Sequence, residues 1–150
     1  VSQNNPIRVY VTHSWETSDD YLRVFEYLES ARNFFYKNLS EPERNGSGDR
    51  EAQREEIRRQ MAHAEVVIGL PSLFAQHRDL IVFQLTFAKA ADKPVILMKH
   101  FGSNMPLPKE LQSLSDSVVD WDERALVDAI KREARHEETA RWDTIEFKLD

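Results

Sequence analysis

The sequence predicts an α/β fold: a doubly wound, five-stranded parallel sheet with helices on both faces. Three observations carry that expectation. Two short runs, residues 66–70 (VVIGL) and Val95–Met98 (VILM), are apolar at successive positions rather than alternating, the pattern of strands buried on both faces. Between them lies an apolar stretch of helical length, residues 80–91, led in by Arg78 and Asp79 and closed by Lys93-Pro94. The residue before a proline is pushed out of the α region, so the helix has to stop there. Strand, helix and strand within about thirty residues form a βαβ unit, whose strands are parallel and whose crossover is right-handed. The third observation is that strand-like and helix-like segments alternate on either side of this unit.

Taken in order, residues 1–6 are polar and end at Pro6, a loose lead-in. Residues 7–12 (IRVYVT) are β-branched or aromatic at most positions and read as the first strand. His13-Ser14-Trp15-Glu16 follows, then Thr17-Ser18-Asp19-Asp20. These last four are helix-start residues, with side chains that accept from free N–H groups and acids at the positive end of the helix dipole. The helix they open, residues 21–30, places Tyr21, Val24, Phe25 and Leu28 on one face. Residues 34–39 form a short second strand, and residues 40–49 (SEPERNGSGD) a mobile surface loop.

A charged helix over residues 50–64 carries a narrow apolar stripe of Ile57, Met61 and Ala64, its arginines and glutamates forming a solvated face. After the central unit come a loop over residues 100–108, a helical turn over Lys109–Ser113, a fifth strand over residues 117–121, and a helix over Glu123–Arg135 capped by Asp122. The tail, residues 136–150, alternates Ile145, Phe147 and Leu149, as an edge strand or a segment packed back on the sheet. The chain therefore reads as one domain with a core over about residues 7–135, in keeping with its 150 residues.

Composition narrows the function. A formal charge of −6 speaks against nucleic acid as the main partner. The absence of cysteine removes disulfides, thiolate nucleophiles and cysteine zinc sites, and fits a reducing cytoplasm. No apolar run approaches the roughly 18 residues of a membrane span. The loop after the first strand has no glycine, so neither a GxGxxG dinucleotide turn nor a Walker phosphate loop is present. The five histidines show no HExxH spacing, and no metal site is expected. Ser14 is not in a GxSxG elbow. The third strand ends Gly69-Leu70-Pro71 without the aspartate of a phosphorelay receiver.

One helical position stands out. Gln84 falls between Leu80 and Ala88 at helical spacing, among residues that face inward. A buried amide must find partners or cost about 1–3 kcal/mol. It is either a brace between helix and strand or a group facing a cleft at the helix's N-terminal end.

Together VYVTHSW, AEVVIGLPSLF and RDLIVFQLTFAKAADKPVILM resemble the TIR-like family of bacteria, which includes the TIR-like subunit of Thoeris anti-phage systems. The likeness covers about residues 7–135. It implies a flavodoxin-like fold and a cytoplasmic signalling or defence domain that binds, and in some members cleaves, NAD. His13-Ser14 stands where that family has a Ser-rich turn, and Pro71-Ser72-Leu73-Phe74 resembles its segment leaving the third strand. Residues 80–85 resemble the start of its WxxxE helix, with Gln84 in the place of the catalytic glutamate.

The resemblance thus implies a catalytic group drawn from Gln84, Asp79 and Glu16, with Asp19 across the cleft. It implies a ligand rim of His13, Ser14, Trp15, Asp19, Ser72 and Arg78, the last pairing with phosphate. An amide in place of a carboxylate gives little stabilisation of an oxocarbenium-like state, so NAD nucleosidase or cyclase activity is expected to be weakened. Asp79 has a second reading as a helix N-cap, and Arg78 as a solvated arginine. The family pattern and the helical spacing both favour the cleft-facing reading of Gln84. NAD is expected as ligand or substrate, with no separate cofactor. The expected partners are a nucleotide and either a second copy or an effector protein. The alternative is a non-catalytic assembly module, and a weaker third reading is a nucleoside-transferring enzyme on a related fold.

Overall fold

The structure is a computed structural model that describes residues 3–44 and 48–137. The strands are β1 (Ile7–Val11), β2 (Tyr36–Asn38), β3 (Val66–Gly69), β4 (Val95–Met98) and β5 (Ser117–Val119). The helices are α1 (Asp19–Ser30), α2 (Arg50–Met61), α3 (Phe74–Ala90), α4 (Lys109–Ser113) and α5 (Glu123–Arg135). All four strand pairings are parallel and the strand order is β2-β1-β3-β4-β5. This is the expected five-stranded, flavodoxin-like α/β fold.

The apolar runs became strands because the sheet is covered on both faces. α1 packs on α5, and α2 and α4 pack on α3. β3 and β4 are wholly buried, in register Val67↔Val95 and Gly69↔Leu97. Gly69 has a packing role. A Cβ there would sit 3.3 Å from a Leu85 methyl, so its absence lets α3 lie close on the sheet. At the amino ends of the strands Glu65 accepts two bonds from Arg135, at 2.8 and 2.9 Å, and one from the Arg8 N–H at 2.9 Å. Arg135 also donates to the carbonyls of Asn5 and Pro6, which ties down the lead-in expected to be loose.

Several element boundaries differ from expectation: α1 begins at Asp19, β5 ends at Val119, and three further differences have a clear local cause. The second strand is shorter, Tyr36–Asn38, because it pairs only with β1 over three residues at the sheet edge. The charged helix stops at Met61, where the backbone leaves for β3. α3 starts at Phe74 rather than at residue 80, following a 3-10 turn, Pro71–Leu73, with proline at its first positions. Within α3 His77 departs from helical geometry (φ −134°, ψ 44°), so a first turn is set off from the long apolar part. That apolar part is buried on one stripe, Ile81, Gln84, Leu85 and Ala88, whereas Phe83 and Phe87 are half-buried on its flank. The alternating tail lies outside the described residues. No helix among the described residues is long and apolar enough to cross a membrane.

Candidate functional site

β1 and β3 are held together one residue beyond their ladder by Thr12. Its N–H donates to the Ile68 carbonyl and its hydroxyl accepts the Leu70 N–H, both at 3.0 Å. Past that clamp the two chains part, one toward α1 and the other, through the Pro71–Leu73 turn, toward α3. The divergence is the switch point of the strand order, the place where ligands gather in open parallel sheets. A cleft of about 290 Å³ opens there. Ser14, Glu16, Ser18, Asp19 and Asp20 form one wall, and Ser72, Leu73, Gln76 and His77 the other.

The chemistry of this cleft is hydroxyl, amide, imidazole and carboxylate. Ser18 is the α1 cap, its oxygen accepting the Tyr21 N–H at 3.2 Å, and Asp20 is held by Arg23. Glu16 and Asp19 are exposed. Among the described residues no lysine or arginine lines the cleft. Such a surface suits the hydroxyls of a sugar and a delocalised positive charge better than phosphate, because carboxylates accept from hydroxyls and attract cations. Among the described residues no cluster of histidines and carboxylates could hold a metal ion.

Of the residues expected from the sequence, Ser14, Glu16, Asp19 and Ser72 meet in this cleft. Gln84 does not reach it. It is fully buried, its oxygen accepting from the Tyr10 hydroxyl at 2.7 Å and the His13 N–H at 3.1 Å, its nitrogen donating to the carbonyls of His13 at 2.9 Å and Leu80 at 3.1 Å. Both hydrogens and both lone pairs of the amide are therefore engaged. The bracing reading of Gln84 describes this geometry, and the cleft-facing one does not.

His13 is also buried. Its Nε2–H donates to Gln60 Oε1 at 3.0 Å and its Nδ1 accepts the Trp15 N–H at 3.2 Å. The tautomer follows from these partners: Gln60 Oε1 also accepts the Glu41 N–H, while its nitrogen donates to the Glu41 carbonyl and the Glu56 carboxylate. Burial lowers the His13 pKa below its ordinary 6.5, against smaller upward pulls from Gln60, Glu43 and Glu56. Tyr10 is pushed well above 10, first by burial. The β1–α1 loop, the β2–α2 loop, α2 and α3 are thus joined beneath the cleft by one polar network.

Trp15 occupies the left-handed region, φ 67°, which costs a bulky residue about 1–2 kcal/mol. Its ring meets His13 edge to face at 4.8 Å, and its indole N–H is buried without an acceptor among the described residues. A buried orphan donor costs about 1–3 kcal/mol more. Strain of both kinds is stored directly beside the cleft.

Arg78 and Asp79 lie beyond the His77 break. Arg78 donates to Glu110 at 2.9 Å and to Asp79 at 3.2 Å, so carboxylates already surround its charge. Asp79 is exposed just past the His77 break, and the partners of its carboxylate are the Arg50 and Arg78 side chains rather than a helix N–H. A larger hollow of about 740 Å³ lies toward the β4–β5 end, between Lys99, His100, Ser103 and Trp121, with exposed Met105 and Val118 on its surface.

Sequence reasoning missed Gln60, Gln76 and His77. Gln60 could have been found, because it lies three residues after Ile57 on the stripe it shares with Met61, a polar residue at an inward position. No protein-family model matches this chain, and no curated protein matches it.

Proposed function

We propose that the chain is a bacterial TIR-like signalling or defence domain, acting in the cytoplasm, that takes NAD or a related nucleotide in the switch-point cleft and turns it over slowly or not at all. The observation that carries this reading is the convergence of Ser14, Glu16, Asp19 and Ser72 on one cleft between the carboxyl ends of β1 and β3. Glu16 and Asp19 would accept from ribose hydroxyls and lie against the cationic nicotinamide ring. Slow turnover follows because the amide of Gln84 is spent inside the protein, leaving only the solvated carboxylates of Glu16 and Asp19. In water a carboxylate stabilises a developing cation far less than it does in an enclosed site.

Calorimetric titration with NAD, run beside an assay of nicotinamide release, tests this. Binding without appreciable release is expected, and it should disappear in Ser72→Trp, where an indole fills the cleft. Absence of binding by the native chain would overturn the reading.

A second reading, a non-catalytic assembly module, draws on the exposed Phe101, Met105 and Val118 near the larger hollow. The charged face of α2 favours it less, since Arg58 is matched by Glu51 and Glu55, and Arg59 by Glu56 and Glu41. Self-association that Met105→Lys and Val118→Lys abolish, with no NAD binding, would select this alternative.

A further inference from the structure

We infer that His13 is a proton-sensitive latch on the β1–α1 loop: neutral, it holds Trp15 in its left-handed conformation, and protonated, it releases Trp15 together with the cleft wall formed by Ser14 and Glu16.

The geometry leaves no place for a second ring proton. Nε2 already donates to Gln60, and Gln60 is fixed in orientation by the Glu41 backbone on both sides and by Glu56. The added proton must go to Nδ1, which faces the Trp15 N–H at 3.2 Å. Two donors then point at each other. Turning the ring over does not help, because both nitrogens of the cation are donors. The Trp15 backbone has to leave.

What it leaves is already unfavourable. Trp15 sits at φ 67° with its indole N–H buried and unpartnered among the described residues. The bond to Nδ1 and the edge-to-face contact with the imidazole hold that arrangement in place. Release returns the backbone to the ordinary region and exposes the indole N–H to water. The loop therefore has two arrangements, and the protonation state of one ring chooses between them.

The groups facing His13 set where this happens. Glu43 approaches from the β2–α2 loop and Glu56 from α2, and both favour the cation, although Arg59 already binds Glu56. β1 contributes the Tyr10 phenol, bonded to Gln84, and α3 contributes only that neutral amide. Burial outweighs the carboxylates, so release lies below pH 6.5. As regulation of ligand binding the inference rests on the function proposed above; as a property of the loop it does not.

The test is nuclear magnetic resonance of the isotope-labelled full chain between pH 8 and 4.5, following the His13 ring nitrogens, the Trp15 amide and the Trp15 indole proton. At pH 8 the Nε2–H tautomer and a protected Trp15 amide are expected. As His13 takes up its proton, protection at Trp15 should fall about tenfold per pH unit, with the same midpoint as the ring. In His13→Asn, whose side-chain oxygen can accept in place of Nδ1 and does not titrate, Trp15 should remain protected throughout. Protection that persists in the native chain once His13 is protonated would overturn the latch. So would a release that follows a different midpoint, or one that survives in His13→Asn.

NAD titrations at pH 7.5 and below the measured His13 midpoint separate the two claims. Binding that weakens with the His13 midpoint supports latch and site together. Binding that ignores it overturns the regulatory part. Release of Trp15 with no NAD binding at either pH keeps the latch and removes the proposed function.

Discussion

The side-chain amide of Gln84 and the backbone of His13 bind each other in both directions: Gln84 Oε1 accepts the His13 N–H at 3.1 Å, and Gln84 Nε2 donates to the His13 carbonyl at 2.9 Å. The side chain thus behaves as one more peptide group, continuing the hydrogen bonding of β1 beyond the sheet and fastening α3 to the loop that walls the cleft. A glutamate carboxylate cannot do this, because it brings no donor for the carbonyl.

Gln84 variants should report bracing. Gln84→Ala leaves the Tyr10 hydroxyl and both His13 backbone groups unpaired and should cost about 2–4 kcal/mol, or roughly 6–14 °C in melting temperature for a chain of this size. Gln84→Glu places a carboxyl at a fully buried position, where its pKa must rise and stability falls. Both melting temperature and nicotinamide release should be measured. A Gln84→Glu protein that melts as the native one does and cleaves NAD would return Gln84 to the site.

The Glu65–Arg135 pair should hold the amino ends of the strands to α5. Each side chain is less than one-fifth exposed, at 15% and 17%. Glu65→Gln should cost about 2 kcal/mol by urea denaturation, because it breaks a two-pronged charged contact. Arg135 holds the Glu65 carboxyl below its usual range. The contribution is therefore complete at neutral pH and lost only in acid, as pH falls through the lowered folded value. An unchanged urea midpoint at pH 7 would show that the contact carries no stability.

Asp79→Ala should change little. Its carboxylate is 74% exposed and meets only exposed arginines, so a loss within about 0.5 kcal/mol is expected. Loss of NAD binding in this variant, with the melting temperature kept, would move the site past the His77 break.

His13 should make stability depend on pH. The unfolded chain takes up this proton from about pH 6.5 downward while the folded one resists it, so more protons bind the unfolded state. Stability from this residue is complete above 6.5 and declines as pH falls toward the lowered folded value. Urea unfolding at pH 7.5 and 5.5 should show a drop that His13→Asn removes. Equal drops in both proteins would assign the effect to other groups.

The sheet was legible in the sequence because β3 and β4 are unbroken apolar runs, the first followed by Pro71 and the second preceded by Lys93-Pro94. The start of α3 was not, since Ser72 to His77 reads as loop and only the Pro71 turn and the His77 break organise it. Helical spacing showed that Gln84 is buried, but its partners Tyr10 and His13 lie 74 and 71 residues away and belong to tertiary structure. Spacing alone could not distinguish a brace from a cleft-facing group. Ser14, Glu16, Asp19 and Ser72 were legible because loops at the carboxyl ends of parallel strands converge by topology. Arg78 was placed at the rim because its carboxylate partner Glu110 lies 32 residues on.

Binding of NAD at the switch point is tested most directly by following backbone amide shifts as NAD is added to the labelled chain at pH 7.5. The expected result is saturable change confined to residues 14–20 and 72–77, with residues 99–107 unmoved. Change confined to residues 99–107, or none at millimolar NAD, would contradict it.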